Sequence, residues 1–190
     1  MPATKPGVTP LRRLRQKRSA VALAAWLILV PAVPSMIAKL TATDNGDPVV
    51  TTGPLSVFTD DGHEVVLDPP LGWSSLEIGN GQVLRSDNGA VITVQAYDLE
   101  EREADAVVQR LIRQNRIGGE SIAVTGGTVG SASGDLTGPR CAIIVDDGLS
   151  GSCAFLSDDD VMLLVTAMSS PDATAPDIAD VVGPIHRGDS

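Results

Sequence analysis

The sequence predicts an α+β domain, an antiparallel β-sheet with one long and one short helix, behind an N-terminal transmembrane segment. Three observations carry this. A basic cluster, Arg12, Arg13, Arg15, Lys17 and Arg18, runs directly into an uncharged stretch over 19–38. Beyond residue 54, short apolar or alternating runs recur between Asp, Asn and Gly turn signals. One segment, 98–115, breaks that rhythm with helical spacing.

The uncharged stretch opens at Ser19 and closes at Ala38. As a helix it spans roughly 30 Å, the thickness of a bilayer's hydrocarbon core. Lys39 closes it and can snorkel to the far interface. Six of the seven basic residues before position 41 precede the stretch, and no acidic residue does. That asymmetry keeps the N-terminus cytoplasmic and exports the remainder. The expected organisation is a cytoplasmic tail over 1–18, a signal-anchor over 19–39, a flexible linker over 40–54 and an extracytoplasmic domain over 55–190. Pro31 and Pro34 keep a second reading open, a cleaved signal peptide whose product is secreted. The available cuts, after Ala38 or Ala42, place Met36 or Leu40 where small residues are preferred. No cysteine near the segment can take a lipid anchor.

Composition splits the chain in two. After residue 40 there are 24 acidic residues against seven arginines and no lysine, a formal charge of −17. Such a domain repels phosphate backbones, so no nucleic-acid partner is expected. The Arg-over-Lys bias, with abundant Ala, Val, Gly and Asp, suggests a GC-rich bacterial genome.

The elements follow in order. Strands over 55–59 and 63–67 flank the turn Asp60-Asp61-Gly62. Strands over 82–85 and 90–97 flank Asp87-Asn88-Gly89. Asp98 then reads as the N-cap of the long helix, with Glu101 three residues on as in a capping box. Ala104, Val107, Val108, Leu111 and Ile112 make one apolar face, and Gly118-Gly119 ends the helix. Strands are expected over 121–125, 128–134, 140–145, 151–156 and 161–168. The last is almost wholly apolar and suits a central strand covered on both faces. Pro176 starts the short helix, whose apolar side is Ile178, Val181, Val182 and Ile185. Cys141 and Cys153, the only cysteines, sit symmetrically about residue 147 and predict a disulfide across a hairpin.

The order hairpin, Asp68-Pro69-Pro70-Leu71-Gly72-Trp73, strands, amphipathic helix, strands and terminal helix resembles the PsbP-like fold over residues 55–187. It is similar in layout to small exported actinobacterial proteins of the LpqN type. Those are typically lipid-anchored through an N-terminal cysteine, which this chain lacks. The resemblance implies interaction and accessory roles rather than catalysis, and it transfers no catalytic residue.

The residues themselves point to no enzyme and no cofactor. His63 and His186 lack a triad context, and Gly-x-Ser-x-Gly does not occur. The Asp pairs and the triplet at 158–160 fall at expected turns without calcium-loop spacing, so no metal is expected. The Gly-rich run over 126–134 is followed by Pro139 and a strand, not by the helix a phosphate loop needs. What remains is a possible docking set: Arg102, Arg110, Arg113 and Arg116 around the long helix, with Trp73. Their alternative roles are dipole compensation and pairing with Glu103, Asp105 and Glu120, or core packing for Trp73. The expected function is a membrane-anchored interaction or accessory protein with a protein partner in a membrane or envelope assembly. The alternative is a module binding a small apolar or lipid ligand between sheet and helix.

Overall fold

The structure, a computed structural model, describes residues 49–146 and 148–188. The tail over 1–18, the anchor over 19–39 and most of the expected linker lie outside the described residues. Among those described, no helix is long and apolar enough to cross a membrane.

Two antiparallel sheets and two helices make the domain. The strands are β1 (Val49–Val50), β2 (Leu55–Phe58), β3 (Glu64–Leu67), β4 (Ser74–Ile78), β5 (Gly81–Arg85) and β6 (Ala90–Asp98), then β7 (Glu120–Gly130), β8 (Thr137–Val145), β9 (Ser150–Ser157), β10 (Val161–Ser169) and β11 (His186–Arg187). Helix α1 (Ala104–Ile117) joins β6 to β7, and α2 (Ile178–Val182) precedes β11. The large sheet runs β1-β4-β5-β6-β10-β9-β8-β7, and the small one β11-β3-β2.

Side chains alternate across the large sheet, so each face builds its own core. Leu84, Ile92, Val94, Leu163 and Val165 pack on one face with Val57 and Val65 of the small sheet and with Val181 and Val182 of α2. Phe155, Met162 and Leu164 pack on the other with Val107, Val108 and Leu111 of α1. Strand β10 lies between both cores, and all nine of its residues are buried. Its continuous apolar run is the signature of a strand covered on both faces.

Cys141 and Cys153 form a disulfide with their Cα atoms 4.8 Å apart. They are direct register partners across β8 and β9, and they are buried under α1.

Three expectations change. Asp98 does not cap the long helix, which starts at Ala104. Asp98 is instead the last ladder residue of β6, paired with Val161, and its carboxylate accepts from the Asp61 N–H. Glu103 takes the cap position without a side-chain hydrogen bond. Next, the strands expected over 121–125 and 128–134 are one edge strand, β7, with a register shift between Val124 and Thr128. Gly126 and Gly127 lie at that irregularity with φ of 88° and 78°. Finally, the chain joins the sheet before residue 55. Val49 and Val50 pair with Ser75 and Ser74, and the Thr51 N–H donates to the Trp73 carbonyl at 2.8 Å.

Candidate functional site

Four chain segments converge beside α1 on a groove of about 420 Å³. The β2–β3 turn brings Asp60, and the β4–β5 turn brings Gly79 and Asn80. The end of β6 supplies Ala96, Tyr97 and Asp98, and the loop into α1 supplies Glu100 and Arg102. The helix closes the side with Val107, Arg110, Leu111 and Gln114.

Local chemistry holds these segments in place. Asn80 is clamped to Ala96 twice, its carbonyl accepting from the Ala96 N–H at 3.0 Å and its side-chain amide donating to the Ala96 carbonyl. Gly81 follows because a Cβ there would sit 2.5 Å from the Val94 carbonyl oxygen. The strand ends where the Leu99 N–H donates to the Asp160 carbonyl at 2.8 Å. Glu100 and Glu101 then adopt φ of 47° and 62°. They are the only non-glycine residues with positive φ among the described residues. Each costs backbone strain of order 1 kcal/mol, a cost that clusters at binding sites. The turn is closed by the Arg102 N–H donating to the Leu99 carbonyl at 2.8 Å.

The groove's polar groups are unequally satisfied. The Asp61 N–H donates to Asp98 Oδ2 at 3.0 Å, whereas Asp98 Oδ1 is buried without a hydrogen-bond partner. Arg102 pairs with Glu100. Arg110 has no carboxylate within 4 Å among the described residues. The Tyr97 hydroxyl donates to Gln95 Oε1 at 3.1 Å. Burial, and secondarily the Glu120 carboxylate, push that phenol above its ordinary range, so it stays a neutral donor.

The docking candidates read from the sequence are thus divided. Arg102 and Arg110 line the groove. Arg113 and Arg116 are exposed on α1 outside its lining. Trp73 packs, half-buried, against the core on the opposite face of the large sheet. Sequence reasoning missed Asn80, Tyr97 and Gln114 as groove residues and took Asp98 for a cap. Only the pairing of distant strands brings these positions together, so no local spacing signals them.

The remaining candidates have structural partners. Asp158 Oδ1 accepts from the Asp160 and Val161 N–H groups at 2.8 and 2.7 Å, as turn chemistry requires. No three His, Cys, Asp or Glu side chains converge as metal ligands among the described residues. His63 Nδ1 lies 3.4 Å from the Arg187 guanidinium, and His186 Nδ1 lies 3.2 Å from the Pro184 carbonyl.

Comparison with known proteins finds no matching family model, no matching curated protein and no matching solved structure.

Proposed function

We propose that the protein is a membrane-anchored, extracytoplasmic interaction or accessory protein, a subunit or partner of a membrane or cell-envelope assembly. Residues 19–38 are its anchor, and the PsbP-like resemblance of residues 55–187 fits a binding role. The observation that carries the reading is on α1. Arg110, Arg113 and Arg116 are exposed and have no carboxylate within 4 Å among the described residues, while Arg102, Arg140 and Arg187 are paired. Positive charge left unneutralised in a region of net charge −17 is a complementary surface for an acidic patch on a partner, and it favours both steering and register. The groove's charged rim suits polar contacts better than a lipid tail.

Affinity purification from native membranes in mild detergent tests this. A stoichiometric partner should co-purify with the wild-type chain and be lost from the triple variant R110E/R113E/R116E. A wild-type protein recovered consistently alone would reject the assignment. The intact mass of the same sample tests the anchor, and a chain beginning near residue 39–43 would overturn it.

A further inference from the structure

Strand β7 carries an inference that goes beyond the docking surface on α1. We propose that its outer edge pairs with the same edge of a second copy of this chain, antiparallel across a two-fold axis at Ala123, so that two large sheets become one. β7 ends the large sheet opposite β1, and no described strand lies on its outer side. Unpaired N–H and C=O groups on such an edge template another strand, so edges are ordinarily blunted by charge, proline or shortness. The other sheet edges among the described residues are short: β1 and β11 have two residues each and β2 has four. β7 has eleven, and residues 121–134 contain neither a charge nor a proline. Its register shift falls between Val124 and Thr128, which leaves the run up to Val124 regular.

Hydrogen-bond parity decides which residues are available. The Val145 N–H donates to the Leu149 carbonyl, toward β9, and the Asp146 N–H donates to the Gly119 carbonyl, toward β7. Even-numbered residues of β8 before this turn therefore also face β7. Ser121 and Ala123, opposite Ile144 and Ala142, turn their backbone groups inward, so Ile122 and Val124 turn theirs outward. A two-fold at Ala123 sets each Ile122 opposite Val124 of the second copy, and each such pair exchanges two hydrogen bonds. Ala123 then lies opposite itself in the narrow, non-hydrogen-bonded pair between them. Ile122 belongs to the core beneath α1, and Val124, on the same face of β7, is 47% exposed and gains an apolar neighbour. Charge selects a second copy as the occupant. The region after residue 40 carries −17, so two copies repel wherever acidic surfaces meet and approach most readily along an uncharged edge. Arg140, the one charged residue of β8, is engaged by Asp177. Glu120 falls opposite Gly126 of the second copy, not opposite another carboxylate. The two-fold is closed, because each copy uses its one long edge.

The experiment measures the mass of the full-length protein in mild detergent by light scattering, with the detergent mass subtracted, at about 100 µM, a concentration suited to a small interface. The wild type should be dimeric. Ala123→Glu and Ala123→Lys each place like charges directly opposite and should weaken the dimer at least about tenfold, while an equimolar mixture of the two should restore it. Ala123 is exposed, so both variants should keep the fold. Ala123→Cys supplies a second readout, since the narrow pair brings the two thiols within reach of a disulfide under mild oxidation. Ser121→Cys is its control, because four residues of strand hold its two copies roughly 13 Å apart. A monomeric wild type overturns the proposal, as do an undiminished dimer in A123E, a mixture that stays monomeric, or cross-linking of S121C as fast as A123C. A monomeric wild type that carries a foreign chain lost from A123E would assign the edge to another protein's strand, and also overturns it. The arginines of α1 are untouched by these variants, so partner capture there can fail or succeed separately.

Discussion

Cys141 and Cys153 face each other directly across β8 and β9, bonded and buried beneath α1. The bridge closes a loop of sequence separation 12. In the chain-entropy view a loop of that length stabilises by roughly 3 kcal/mol. The double variant C141S/C153S adds two buried hydroxyls in an apolar cluster, so C141A/C153A is the cleaner test. It should lower Tm by about 6–12 °C in thermal unfolding. Reductant should shift the wild type by a similar amount and leave the variant unmoved.

Gly151 lies in β9 between Ile143 of β8 and Met168 of β10. A Cβ there would overlap the Ala167 carbonyl oxygen, a backbone atom that cannot rotate away. Gly151→Ala therefore forces strand separation in the middle of the large sheet and should cost about 1–3 kcal/mol or more. Gly53→Ala is the control, since nothing lies within 4 Å of its Cβ position and no positive φ is involved. Denaturant midpoints should separate the two variants clearly, and equal midpoints would contradict the packing described for Gly151.

Much of the sheet was readable because its signals are local. Asp60-Asp61-Gly62 and Asp87-Asn88-Gly89 mark real hairpin turns, and the apolar run of β10 marks its burial on both faces. The cysteine spacing placed two residues in register because a hairpin is symmetric about its turn. Strand β4 carries Ser74, Ser75 and Glu77 and lacks a strong apolar alternation, so it escaped notice, as did the two-residue strands β1 and β11. The helix start failed for a different reason. Asp98 and Glu101 satisfy the local capping pattern, but the Asp98 carboxylate is claimed by Asp61, 37 residues away. A tertiary hydrogen bond outcompeted a local one, and it also built one side of the groove.

Tyr97 gives the domain an alkaline limit. Its phenol is raised above the unfolded value of about 10, first by burial and then by the Glu120 carboxylate. The folded state thus holds its proton more tightly than the unfolded chain. The corresponding stability is fully present below pH ~10 and is lost as pH rises through the folded pKa. Tm measured from pH 9 upward should fall more steeply for the wild type than for Tyr97→Phe. Parallel curves would mean that this phenol does not contribute to alkaline unfolding.

Glu101 is exposed and holds φ at 62°, a region where side chains with a Cβ are strained and glycine is not. Replacing a surface residue by glycine ordinarily destabilises, because the unfolded chain gains freedom. Here relief of strain of order 1 kcal/mol opposes that entropy. Glu101→Gly should consequently be neutral or slightly stabilising, whereas Glu101→Val, whose β-branched side chain is worse placed at positive φ, should lose about 1 kcal/mol or more. Chemical denaturation of the three proteins at one pH decides it. If glycine destabilised more than valine, the loop in solution would not hold the left-handed geometry that shapes the groove's entrance.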